Sequence, residues 1–279
     1  MPFGFDISGT GDMRVDIKNA LEMVEQWKLG FKKQANWKED SVNAAVPDGR
    51  AIVPPQVIKD CYGVCFLFYV KAGFVFSGEL GTGFVITKLN RGTDDECWSG
   101  PSAIVSGGMG WGALVGAQKT YHVVFLNYKE AVDTFKSHAK VNFGADISLA
   151  AGPVGRHLDA KASVGNKGAA INYSYSYAKG LYGGVGLNGA IASSSGAMNK
   201  AFYGHDVRAS QLLDGMLGKD KYLTESNLGE LYDGLNELIH FSTLAQGNAT
   251  DKNYGENARA ARDYQAGVMD DMDNERIPL

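Results

Sequence analysis

Between Gly73 and Gly196 the chain carries 22 glycines in 124 residues, about 18% where an ordinary globular sequence has ~7%. No other feature limits the fold so sharply. Glycine weakens helices and adds nothing to a core, so a stretch this rich in it needs a use for bare backbone. Collagen's three-residue period is absent, and so are the phosphate-loop and dinucleotide glycine patterns. The glycines fall among short apolar, aromatic and β-branched runs: Tyr62–Tyr69, Gly73–Ser77, Gly83–Leu89, Trp111–Gly116 and Tyr121–Leu126. Each run reads as a strand, and glycine within or between strands marks bulges, sharp bends or close backbone approach. The expectation is a small, strongly curved antiparallel sheet or incomplete β-barrel.

Helical patterns flank it. From Met13 to Lys33, Ile17, Ala20, Leu21, Val24, Trp27 and Phe31 recur at helical spacing, while Arg14, Lys18, Glu22, Glu25, Lys28 and Lys32 fill much of the remainder. Pro54-Pro55 suits the start of a short helix through Ile58 to Cys61. Asn127 and Glu130 have capping-box spacing, predicting a helix over Lys129–Ser137 with Ala131, Val132 and Phe135 inward. Val141–Leu149, Ala169–Ala178 and Leu181–Ala192 read as further strands, and alternation puts Tyr173, Tyr175 and Tyr177 on one face. Asp206 is placed to cap Val207–Leu213, and a longer helix follows Thr224 with Leu228, Leu231, Leu235, Leu238 and Ile239 at 3–4 spacing. The fold class is therefore α+β, with helices covering the curved sheet. Residues 1–215 form the main domain and 216–279 an acidic helical extension that packs on it or mediates interaction.

Composition narrows the function. A net charge of −4 argues against a dedicated nucleic-acid binder, which needs a basic excess. Charge is nonetheless segregated: residues 119–167 hold 7 Lys/Arg and 4 Asp/Glu, while from residue 200 onward there are 8 and 14. Cys61, Cys65 and Cys97 make neither a disulfide framework nor a zinc site, and the first two sit beside an apolar run as small core residues. There is no Gly-x-Ser-x-Gly elbow and no His-Glu-x-x-His pair. His122, His138, His157, His205 and His240 are scattered singly and read as surface or capping residues. Asp94, Asp95 and Glu96 read as a solvated turn; Asp270, Asp271, Asp273 and Glu275 lack the calcium-loop pattern. No catalytic residue and no cofactor is called for. The greasiest segment, Val64–Phe76, is broken by Lys71 and too short to span a bilayer. The first residues lack a signal-like apolar stretch, and Pro2 does not fit the myristoylation motif. Membrane contact, if made, is expected to be peripheral.

Two clusters suit anionic lipid. In the first helix, Trp27 and Phe31 could wedge beneath headgroups while Lys18, Lys28, Lys32 and Lys33 meet phosphates. In the middle region, Lys136, Lys140, Arg156, Lys161 and Lys167 could hold phosphoinositide headgroups or an acidic protein face. The plainer alternative is that the helix packs on the sheet and the lysines are merely exposed. Two rival functions stand beside a lipid-binding adaptor. One is a hydrophobic-ligand or lipid carrier whose cavity the three tyrosines line; the other is an interaction protein whose acidic C-terminal helices meet a basic partner.

A series of ordered motifs resembles one family. Pro54-Pro55-Gln-Val-Ile, Lys71-Ala-Gly-Phe-Val-Phe-Ser-Gly78 and Gly81-Thr-Gly are followed by Trp98-Ser-Gly-Pro-Ser-Ala103 and the glycines from Gly107 to Gly116. Then come Gly152-Pro-Val-Gly-Arg156, Tyr173-Ser-Tyr-Ser, Lys179-Gly-Leu-Tyr-Gly-Gly184 and Phe202-Tyr-Gly. Over roughly residues 15–215 this is similar to the SYLF domain, the Ysc84-type actin-binding domain. The resemblance implies binding to phosphoinositides and to actin filaments, with roles in endocytosis and membrane trafficking. It also implies a cytoplasmic, peripherally membrane-associated protein without catalytic residues. Its lipid-facing candidates are the basic positions of the first helix. Some relatives carry an SH3 module, which this sequence does not show after the match, or a zinc-dependent FYVE module, whose cysteine pairs are absent.

Overall fold

The five short runs of the glycine-rich region are pieces of two long strands, β1 (Gly63–Leu89) and β3 (Ser102–Leu126), joined through the two-residue β2 (Cys97–Trp98). In this computed structural model the described residues are 11–35, 53–137, 140–151, 171–178, 181–183, 190–218, 222–223 and 227–249. Of residues 31–35, 71–79, 108–119, 151, 177–178, 181–183 and 241–249 the backbone alone is described. Strands β1 and β3 pair antiparallel from Gly63↔Leu126 to Val85↔Ser102, with one register shift between Phe74 and Phe76. The glycines bend the strands without ending them. That is why the short-strand reading was wrong in number but right in curvature.

The bend brings β1 back against itself. A Cβ at Gly83 would lie 1.9 Å from the Phe66 carbonyl oxygen, and one at Gly63 would lie 2.7 Å from the Ile86 oxygen. The Lys88 amide donates to the Tyr62 oxygen at 2.8 Å across the same seam. At Gly83 backbone meets backbone, and no L side chain fits.

The remaining elements follow in chain order. After α1 (Met13–Ala35) and α2 (Pro55–Asp60), which precede β1, come α3 (Lys129–Ser137), β4 (Lys140–Asn142), β5 (Leu149–Ala151), β6 (Asn172–Ala178), β7 (Leu181–Gly183), β8 (Ile191–Ser194), α4 (Gly196–Tyr203), α5 (Ala209–Leu213) and α6 (Leu228–Ala249). The free edge of β3 is shared: β6 pairs along Thr120–Phe125 and β8 along Ile104–Gly107. β4 adds to β8, while β7 and β5 add to β6. All these pairings are antiparallel except β5–β6. The result is an α+β fold around a half-barrel-like sheet. Where one strand was expected over Val141–Leu149, Gly144 adopts φ +106 and a turn separates β4 from β5.

Each face of the sheet has its own core. One holds Phe66, Phe84, Ile86, Val123, Phe125, Tyr173 and Tyr175 under residues of α1, α2, α4 and α6. The other holds Cys65, Leu67, Val85, Val124 and Leu126 under Ala131, Val132 and Phe135 of α3. Tyr173 and Tyr175 share a face as alternation required; Tyr175 is fully buried and meets the Phe125 ring edge-on at 5.7 Å.

Three local readings need correction. Helix α3 has its expected span, but Asn127 is engaged elsewhere: its side-chain amide donates to the Ile171 oxygen and its backbone N–H to Asn172 Oδ1, both at 2.9 Å. His122 is no surface residue. It is 6% exposed, with Nδ1 2.6 Å from Ser176 Oγ and the Tyr69 ring edge-on at 5.4 Å. Arg208 rather than Asp206 stands at the N-cap of α5, where its backbone N–H donates to Gln211 Oε1 at 3.1 Å.

Candidate functional site

Of the stripe that periodicity marks, helix α1 buries Ile17, Ala20, Val24 and Trp27, with Met13 one turn earlier; Leu21 is half-buried, and the Phe31 side chain lies outside the described residues. Trp27 is 3% exposed and its ring centroid lies 6.1 Å from that of Phe125. With the helix seated it is a core side chain, and wedging into lipid would require α1 to leave its place. Helix α6 lies against α1 at Gly234, where a Cβ would come within 2.8 Å of Val24 Cγ1. The outer side of α1 presents Lys18, which is exposed, and Leu29, which is 50% exposed.

Other lysines are engaged internally. Lys28 Nζ lies 2.6 Å from Glu237 Oε2 on α6 and 2.9 Å from Glu25 Oε1. The hydrogen bond with Glu237 holds the Lys28 ammonium above its ordinary pKa, with burial opposing and Glu25 assisting. Lys136 of α3 lies 2.6 Å from Asp214, and Lys200 3.0 Å from Asp206. The segregation of charge along the chain is thus partly undone in space. Asp214 and Glu237, from the acidic C-terminal third, each face a lysine from an earlier part of the chain. Glu96, read as part of a solvated turn, points at the Lys88 ammonium (3.2 Å), whose side chain is only 1% exposed. Burial would raise the Glu96 pKa, but the Gly92 amide and Lys88 together hold it below the usual range.

The segment Trp98–Ala103 anchors two helices directly and a third through Thr87 of β1. Trp98 Nε1 donates to Asn236 Oδ1 of α6 at 3.1 Å, and the Ser99 carbonyl accepts from Tyr232 OH of α6 at 2.5 Å. The Pro101 carbonyl accepts from Tyr203 OH of α4 at 2.7 Å, and the Ala103 amide donates to Asn199 Oδ1 of α4 at 2.8 Å. Ser99 Oγ accepts from the Thr87 amide at 3.0 Å, and Thr87 Oγ1 donates to the Leu213 carbonyl of α5 at 2.7 Å. These bonds satisfy buried polar groups of the segment from elements distant in sequence, as burial requires, while Ser102 Oγ is buried without a hydrogen-bond partner.

The family profile described as "Ysc84: Las17-binding protein actin regulator" matches residues 107–238, from the middle of β3 into α6. An SH3 domain-containing protein of Schizosaccharomyces pombe is 39% identical over 168 residues, 60% of this chain and 38% of its own. Protein YSC84 of Saccharomyces cerevisiae is 37% identical over 164 residues, 59% of this chain and 34% of its own. The chain belongs to the Ysc84-type, or SYLF, domain family. An animal relative, SH3 domain-containing YSC84-like protein 1 of Pongo abelii, is 34% identical over 200 residues, 70% of this chain and 57% of its own. The chain thus spans a little over a third of the length of these fungal relatives and somewhat over half of the animal one.

Within this Ysc84-type domain, the described members of the lipid-facing set read from sequence differ in their surroundings. Lys18 and Lys140 are exposed, Lys28 and Lys136 are paired with acidic partners, and Trp27 is core. Phe31, Lys32 and Lys33 continue α1, but their side chains lie outside the described residues, as do Arg156, Lys161 and Lys167 altogether. Sequence reasoning missed α4 and the polar anchors Asn199, Tyr232 and Asn236. The signal for α4 was present: Ser195 accepts from the Met198 amide as N-cap, and Gly204 ends the helix at φ +77. Among the described residues no His/Cys/Asp/Glu group is arranged to hold a metal ion, and no helix is long and apolar enough to cross a membrane. A cleft of about 450 Å³ lies between Asp94–Cys97 on one side and Gly215, Leu217, Gly218 and Tyr222 on the other; its carboxylates are a poor lining for lipid tails.

Proposed function

We propose that this chain is a non-enzymatic adaptor that binds anionic, phosphoinositide-bearing membrane and actin filaments, acting peripherally in the cytoplasm in endocytosis or membrane trafficking. The observation that carries this reading is the match to a family described as an actin regulator, shared with relatives named for YSC84. Membrane contact is supported by α1, an amphipathic helix near the start of the chain whose outer face carries Lys18 and the half-exposed Leu29. In this mechanism lysine charge speeds encounter with an anionic surface, and apolar contact retains the protein there. No reacting atom is needed. The acidic residues beyond α6 remain candidates for a basic protein partner.

Sedimentation with vesicles, beside sedimentation with filamentous actin, tests both halves. Replacing Lys18, Lys32 and Lys33 together by Gln should weaken binding to vesicles containing phosphatidylserine and phosphoinositide and flatten its salt dependence. A correctly folded wild-type chain that ignores such vesicles at low salt would remove the membrane half. One that stays in the supernatant beside pelleted filaments would remove the actin half.

A further inference from the structure

Helix α1 carries a carboxylate on the face that should be wholly apolar. Asp16 sits beside Ile17 and Ala20 on the side turned to the sheet and is 3% exposed. Oδ1 accepts from Thr82 Oγ1 of β1 at 3.1 Å; Oδ2 is buried with no hydrogen-bond partner. The groups around it do not compensate. The charge that acts on it is Asp12, a like charge just before α1, with Arg14 3.9 Å from Asp12 and over the Phe202 ring of α4 at 5.2 Å. β1 offers the neutral Thr82. The α6 carboxylate Glu237 is held by Lys28, about 18 Å further along the helix axis at 1.5 Å per residue. Burial raises the Asp16 carboxyl from 3.8 to about 7, with Thr82 pulling down and Asp12 pushing up.

We propose that Asp16 makes the seating of α1 on the sheet pH-dependent: the protonated carboxyl holds the helix in place and the ionised one loosens it. The direction follows from linkage. A seated α1 binds the Asp16 proton more tightly than a released one, whose carboxyl meets water and titrates near 3.8. Rising pH therefore favours release until both states are ionised, above about 7. A released α1 would add Met13, Ile17, Ala20, Val24 and Trp27, as one apolar stripe, to the outer face of Lys18 and Leu29 on which the membrane reading above rests, so release would strengthen lipid contact.

Hydrogen exchange on the whole chain without lipid, corrected for the intrinsic rate at each pH, is the test. In the wild type, protection of the α1 amides should fall by up to about tenfold per pH unit between about pH 5 and 7 and then level off. Asp16→Asn keeps the shape without the titrating group, so its protection should stay high and flat. Thr82→Val removes the donor to the carboxylate and should move the levelling point to higher pH. Identical pH profiles in the wild type and Asp16→Asn would overturn the proposal. If Asp16→Asn does not fold, an unshifted Thr82→Val profile would do so. Vesicles of phosphatidylserine and phosphatidylcholine then separate this from the membrane reading: weaker binding by Asp16→Asn joins the two. The expected exchange profile with unchanged vesicle binding keeps the pH-dependent seat and leaves lipid contact to the outer face of seated α1.

Discussion

The Lys28 ammonium lies 2.6 Å from the Glu237 carboxylate, tying α1 to α6 across most of the length of the sequence. Because Glu237 is 37% exposed, the pair is screened by solvent and its coupling should be modest. A double-mutant cycle with Lys28→Met and Glu237→Gln in urea should give about 0.5–1 kcal/mol, shrinking as salt is added. A coupling of zero would mean the two side chains stay apart in solution. Lys28→Gln should accordingly act on stability more than on vesicle binding.

Trp27 gives a sharper contrast between core and lipid roles. As a buried aromatic of the first core, its replacement by Ala should destabilise the chain by about 3–5 kcal/mol with no lipid present. The urea midpoint measures this directly. A lipid wedge exposed in the free protein would leave that midpoint unchanged.

Glycine positions separate backbone contact from backbone freedom. Gly83→Ala drives a Cβ into the Phe66 carbonyl and should cost more than about 4 kcal/mol or prevent folding, read from soluble yield and circular dichroism. Gly229→Ala, in the first turn of α6 with nothing within 4 Å of the added carbon, is its control. It should stabilise by up to about 1 kcal/mol.

The anchor between α6 and the Trp98 segment is testable through one oxygen atom. Tyr232 is 7% exposed, and its hydroxyl donates to the Ser99 carbonyl. Tyr232→Phe leaves that carbonyl short of a donor and should cost about 1–2 kcal/mol in thermal or urea unfolding. A neutral result would place the carbonyl in contact with water.

Thiol labelling should follow burial. Cys97 is partly exposed, whereas Cys61 and Cys65 are buried, and burial pushes the Cys61 thiol up to about 11 and Cys65 higher still. A maleimide at neutral pH should modify Cys97 first and reach the other two only as the chain unfolds. Equal labelling of all three, followed by mass spectrometry of the peptides, would contradict the packed seam.

Local chemistry accounts for what was legible beforehand. The apolar stripe of α1, the span of α3, the Tyr173/Tyr175 face and the curvature demanded by glycine all rest on the periods of helix and strand, which are written in neighbouring residues. Those patterns say which face is apolar but not what covers it. So Trp27 could be read as a wedge, and one continuous strand could be read as three. Long-range packing alone decided that β1 returns on itself at Gly83, that His122 meets Ser176 inside the fold, and that Lys28 and Lys136 face Glu237 and Asp214. A charge or a hydrogen-bond donor carries no local signal of its partner when that partner lies on another element. The fold brings them together only after the apolar faces have chosen their neighbours.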